Sequence, residues 1–200
     1  MSWIRYRRPV ARNDGRRRAL GDAGLAILAR EGARGLTHRA VDAEADVPVG
    51  TTSNYCRSRA QLVALLVARI GERLAPDPDV QAALAARAPD RDRFAAHVRE
   101  IVARLTASRE TTLALLELRL EAARRPEVAE ALGGWMRDGF AGDVAFNAAA
   151  GLPGGAFEIA LLHYAIDGLM LDRLTTSIDP GIDVDAAVDA LVDRLLPESP

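Results

Sequence analysis

Apolar residues recur every three or four positions along almost the whole of this chain, and nowhere do they alternate as a half-buried strand requires. That periodicity selects an all-α fold, read as an N-terminal three-helix domain followed by a larger helical bundle. Asn13 or Asp14 is placed to cap a first helix that runs to about Arg30, with Leu20, Gly24, Ile27 and Leu28 on one face and Gly32 and Gly35 ending it. Thr37 caps a short second helix to about Ala45. A break at Asp46-Val47-Pro48 opens a third helix to about Tyr55, with Pro48 in its first turn, where a missing N–H is harmless. Ser58 with Gln61 three residues on is a capping box, and it starts a fourth helix whose Leu62, Leu65, Leu66 and Ile70 continue the stripe to about Leu74. A linker at 75–79 leads to helices near 80–87, 91–107, 110–124, 127–149, 155–176 and 183–196. Pro89, Ser108, Pro126, the Gly151-Leu152-Pro153-Gly154 turn and Asp179-Pro180-Gly181 separate them.

With 200 residues and 49% hydrophobic side chains the chain can bury a sizeable core. Cys56 is the only cysteine, which excludes an internal disulfide and a multi-cysteine metal site and fits a reducing cytoplasm. The longest strongly apolar stretch, Ile159 to Leu171, is 13 residues and holds His163 and Asp167, well short of the ~20 that span a bilayer. No apolar signal-peptide core opens the chain, so a soluble, cytoplasmic protein with no membrane partner is expected. The formal charge of −2 hides an asymmetry: residues 1–60 carry 12 Arg against 6 acidic residues, whereas residues 61–200 carry 14 against 22. A basic head on an acidic body points the first part at a polyanion.

Residues 36–59 give that polyanion a geometry. A capped helix, a tight turn, a second short helix and a basic exit make a helix-turn-helix, whose second helix enters the major groove of DNA. On a helix from 48 to 55, Thr51, Asn54 and Tyr55 share the outward surface, while Thr52 and Cys56 turn inward. At Gly35-Leu36-Thr37, Arg39, Val41, Ala45, Val47, Gly50-Thr51, Tyr55, Ser58, Arg59 and Leu62 the segment resembles the DNA-binding domain of the TetR family of transcriptional regulators. The resemblance implies an all-α homodimer, in many members a repressor released from DNA by a small ligand. It divides the chain into an arm and helix-turn-helix at 1–57 and a ligand-binding and dimerisation domain at 58–200. Carried over residue by residue, it puts Thr37, His38, Arg39, Tyr55 and Arg59 on phosphates and Val49, Gly50, Thr51, Ser53 and Asn54 in the groove. Asn54 is the foremost base reader, since its amide can bond an adenine edge bidentately, and the Thr51 methyl can meet a thymine methyl. An arm bearing Arg5, Arg7, Arg8, Arg12 and Arg16 to Arg18 is electrostatically suited to the backbone or minor groove.

For the second domain, helices near 157–176 and 183–196 are expected to pair with their copies in a second chain. Leu161, Leu162, Leu169, Val188, Leu191 and Leu195 represent that interface. A two-fold dimer would present two reading heads to a pseudo-palindromic operator. Phe94, His97, Leu116, Arg119, Leu120, Trp135, Met136, Phe140, His163 and Asp167 are the candidates to line an effector pocket, combining apolar walls with a few polar groups. The alternative is an all-α small-molecule-binding protein or enzyme that does not bind DNA. Against it, Cys56 has no neighbouring base, the three histidines are dispersed, and no Glu-x-x-His pair offers a di-metal site. Accordingly no catalytic residue, metal or cofactor is expected.

Overall fold

A computed structural model of the chain describes residues 8–196. Arg5 and Arg7 of the expected arm, and the side chains of Arg8 and Arg12, lie outside what it describes. Ten helices appear among the described residues: α1 (Arg8–Gly35), α2 (His38–Glu44), α3 (Thr51–Tyr55), α4 (Arg59–Arg73), α5 (Pro78–Ala85), α6 (Arg91–Ala107), α7 (Arg109–Ala122), α8 (Pro126–Ala149), α9 (Ala156–Leu174) and α10 (Val184–Leu195). The all-α reading therefore holds. The chain folds as two compact units, one of residues up to Arg73 with Leu113–Gly134, the other of Leu74–Thr112 with Trp135 onward.

In the first unit α1 packs on α2 and α4, and α2 on α3. Leu20, Leu25, Ile27, Leu28, Leu36, Val41, Leu62, Val63, Leu66 and Ile70 are fully buried, joined by Leu118 and Leu132 from the later segment. Each contributes about 1.5–3 kcal/mol, so this core outweighs the exposed Arg18–Glu72 pair at 3.2 Å, whose class contributes about 0–1 kcal/mol. Gly24 lets the helices close: a Cβ there would lie 2.5 Å from Leu66 Cδ2. Beside it Arg69 grips Asp22 with two bonds of 2.9 Å.

The predicted start and stop signals act as capping chemistry demands. Thr37 Oγ1 accepts from Ala40 N at 3.1 Å, and Ser58 Oγ accepts from Gln61 N at 3.2 Å. Two boundaries differ from expectation. The first helix begins earlier, at Arg8; the stop signals act where they were expected, since Gly32, with φ 69° and ψ −173°, breaks the helix and its last short stretch ends at Gly35. Glu117 Oε1, at 2.9 Å from Ala33 N, takes the donor that the break frees. The third helix begins at Thr51 instead of Pro48, because Gly50 at φ 91° holds a left-handed conformation that a helix cannot include.

In the second unit α6, α9 and α10 pack together around Phe94, Val98, Val102, Ile159, Leu162, Met170, Leu174, Val188 and Val192, all buried. The turn between α8 and α9 is held from inside: the buried Asn147 amide donates to the carbonyls of Leu152, Pro153 and Gly154 at 3.3, 3.2 and 2.9 Å. No helix among the described residues is long and apolar enough to cross a membrane.

Candidate nucleic-acid interface

The corner between α2 and α3 is organised by a residue that the sequence pattern did not single out. Asp42, on α2 and 2% exposed, accepts three hydrogen bonds from the entry to α3. Oδ2 takes Gly50 N at 2.7 Å, while Oδ1 takes Thr52 N at 2.7 Å and the Thr52 hydroxyl at 2.6 Å. Burial alone would push this carboxyl's pKa up. The bonds from Thr52 and Gly50, with the nearby His38 charge, outweigh that and hold it below the ordinary value. A charged carboxylate thus sits under α3, saturated by the amides and hydroxyl at the start of that helix. Thr52 and Cys56, on the inward face of the turn, are buried as expected.

On the outer face, Val49 is 82% exposed, and Ser53, Asn54 and Arg39 are exposed as well. Among the described residues the Asn54 side-chain amide has no intramolecular partner, so donor and acceptor both remain open to a base edge. Thr51 donates its hydroxyl proton to Pro48 O at 2.6 Å, which turns its methyl group into the free end. Thr37 does the converse: its oxygen accepts as a cap, and its proton stays available to a phosphate oxygen. His38 Nε2 is tied to Cys56 O at 2.7 Å, bridging α2 to the exit of α3. Tyr55 lines a groove of about 750 Å³ together with Asn54, Arg57, Arg17, Arg18 and Gln61. Arg17, which the sequence assigned to the basic arm, and Arg57, which it did not single out, add positive charge to this groove; the signal for Arg57 was the basic count of the head.

Arg59 is a correction. The resemblance assigns it to phosphate, but its guanidinium turns inward, donating to Leu36 O at 3.0 Å and Ala33 O at 2.9 Å, with Glu121 at 3.8 Å. It closes the carbonyl end of α1, which stops at Gly35 and leaves its last carbonyls without helical amides to accept from. Cys56 is also buried, and burial raises its thiol pKa, the opposite of what a nucleophile needs.

The effector candidates divide between the two units. Leu116, Arg119 and Leu120 belong to the first; Phe94, His97, Trp135, Met136, Phe140, His163 and Asp167 belong to the second. Within the second unit two histidines meet aromatic rings edge-on, His97 with Phe146 at 5.2 Å and His163 with Phe140 at 5.7 Å. His97 is buried, its Nε2 has no hydrogen-bond partner among the described residues, and burial together with Arg93 lowers its pKa below the ordinary imidazole value. His163 bonds Asp143 at 3.0 Å. Of the expected interface residues, Leu162 and Val188 are buried within the unit itself at 4% and 0% exposure. They are core, and only Leu161, Leu169, Leu191 and Leu195 keep surface for a partner. The apolar surface that α9 does expose was not foreseen: Phe157, Tyr164 and Leu171 are 69%, 69% and 52% exposed. With Leu161 and Gly168 between them they follow a four-three spacing that forms one seam.

Residues 89–198 match the tetracyclin repressor-like, C-terminal domain family. No curated protein sequence matches the chain. Among solved structures, the multidrug binding protein EbrR in complex with imidazole is similar at 27% identity and a TM-score of 0.68, over 92% of this chain and 97% of that one. The same protein in complex with ethidium gives 28% and 0.67, over 91% and 99%. A TetR-family member from Streptomyces coelicolor A3 gives 27% and 0.67, over 91% and 98%.

Proposed function

Because the chain belongs to the TetR family of transcriptional regulators, we propose that it is a homodimeric repressor, released from a pseudo-palindromic operator by a small-molecule effector. The observation that carries this reading is the recognition helix: α3 exposes Ser53 and Asn54, with Thr51 at its start and Val49 in the turn before it, beside a groove that Arg17 and Arg57 line. Thr37, His38, Arg39 and Tyr55 take the phosphate contacts, and Val49, Gly50, Thr51, Ser53 and Asn54 face the bases. Dimerisation uses the α9 seam of Phe157, Leu161, Tyr164, Gly168 and Leu171 with the open edge of α10 at Leu191 and Leu195, and a two-fold dimer carries two heads for the two half-sites of the operator. The effector contacts fall on the aromatic and histidine set of the second unit; the similar protein EbrR, a multidrug binding protein, is known with imidazole and ethidium bound. Such a regulator acts in the cytoplasm, on chromosomal DNA.

Fluorescence anisotropy tests the reading, using duplexes that tile the DNA upstream of the chain's own gene at several salt concentrations, with a scrambled duplex beside them. The expected outcome is tight, salt-sensitive binding to one tile. Absence of binding to any duplex at low salt would overturn it.

A further inference from the structure

The buried carboxylate of Asp42 has a role that the contact surface alone does not require. We propose that Asp42 is the positioning residue of the recognition helix: by holding the amides of Gly50 and Thr52 and the Thr52 hydroxyl, it fixes the first turn of α3 and so sets which bases Thr51 and Asn54 reach. The inference rests on the DNA-reading function proposed above and assigns sequence discrimination to a residue that never touches DNA.

Three features of the head support it. The helix has only five residues, Thr51–Tyr55, too few to fix its own orientation through internal hydrogen bonds. Its N-cap, Gly50, has no side chain and a left-handed backbone, so no cap hydrogen bond comes from within the helix. Asp42 supplies what the cap lacks, from the neighbouring helix, through both of its oxygens. The clasp spans the turn: Val47 N donates to the Asp42 carbonyl at 3.0 Å, so the same residue anchors the turn by its backbone and the next helix by its side chain. Thr51 lies between the two held amides and Asn54 one turn beyond them, with Asn54 N donating to Gly50 O at 3.1 Å. A shift of the held turn is therefore transmitted directly to the reading residues.

Asp42→Asn tests the proposal, because it keeps the shape of the side chain but replaces one of the two accepting oxygens by an amide donor, which faces either the Gly50 N–H or the two donors of Thr52. Thr52→Val removes only the hydroxyl bond and gives a graded second variant. The probe is a duplex enriched from a random library by the wild-type chain, measured beside a scrambled duplex, with helix content followed by circular dichroism and amide exchange at Gly50 and Thr52 followed by NMR. Expected for Asp42→Asn are unchanged helix content, faster exchange at those two amides, unchanged affinity for the scrambled duplex and discrimination reduced by about tenfold, the scale of a lost base-edge pair. Thr52→Val shows the same pattern to a smaller degree. The double variant Asp42→Ala with Thr52→Leu removes the carboxylate and the hydroxyl together and leaves the amides of Gly50 and Thr52 without their acceptor; discrimination falls at least as far as in Asp42→Asn. Full discrimination in that double variant, or in a folded Asp42→Asn chain, overturns the inference and leaves the regulator reading standing. A wild-type chain that enriches no duplex overturns both.

Discussion

Replacing Arg59 by Met removes the guanidinium while keeping most of the stem, and it separates two roles that one side chain can have in a reading head. Arg59 donates to Leu36 O and Ala33 O at 3.0 and 2.9 Å. Hydrogen bonds from a charged donor contribute about 1.5–3 kcal/mol each. The side chain is 30% exposed, so solvent screening places both near the low end of that range. Glu121 keeps Arg125 as a partner and is not left alone. The net cost is about 2–4 kcal/mol, which for a chain of this length lowers the thermal midpoint by about 4–16 °C. If Arg59 serves only inside the head, the slope of log affinity against log salt is unchanged when binding is measured well below the transition. Thermal unfolding and anisotropy on the same preparations decide the matter. An unchanged midpoint together with a slope shallower by about 0.9 per subunit would refute the structural assignment and return Arg59 to the phosphate backbone.

Asn54→Ala is expected to relax selectivity at one base position of each half-site by about 1–3 kcal/mol, read by selection from a random library; an unaltered selected sequence would count against groove contact. Tyr164→Glu places a charge in the middle of the exposed α9 seam and is expected to give a folded monomer by sedimentation with weakened operator binding, whereas a dimer as tight as wild type would exclude that seam. Because the folded-state pKa of Asp42 lies below its unfolded value, near 3.9, its contribution to stability is complete above that pH and is lost as pH falls through the folded value. Urea unfolding of Asp42→Asn should therefore show a flatter decline in stability below about pH 4, and an acid limb as steep as wild type would remove Asp42 from the linkage.

Much of this architecture is legible in the residue order because it depends on local chemistry. The Thr37 cap, the Ser58 cap and the inward turn of Thr52 and Cys56 are all short-range, and the structure has them where the spacing puts them; the expected box at Ser58 forms only in half, because Gln61 Oε1 accepts from Arg57 N. What escaped is long-range. An aspartate in a short amphipathic helix reads as surface, and Asp42 is buried only because the next helix aims its amides at it. An arginine at the basic exit of a helix-turn-helix reads as a phosphate contact, yet two carbonyls 23 and 26 positions earlier capture Arg59. Leu162 and Val188 lie on apolar stripes whose burial is apparent from the periodicity, but a stripe does not say whether its own chain or a copy will cover it. The exposed α9 seam has the same ambiguity in reverse, since α9 is apolar nearly all round and only packing shows which side stays open.

Glu117 and Glu121 stand one turn apart on a helix far along the chain, yet one takes the amide freed by the break in α1 and the other faces the arginine that closes its carbonyl end. Anyone building chimaeras from this scaffold inherits that arrangement. A splice that transplants only the first 73 residues onto a foreign sensor would leave Ala33 N and Arg59 without their acidic counterparts, and one that stops at residue 57 would lose Arg59 as well, whereas a graft of the first 73 residues that also carries Leu113–Gly134 keeps these pairs together. For modular engineering, the transferable part is discontinuous.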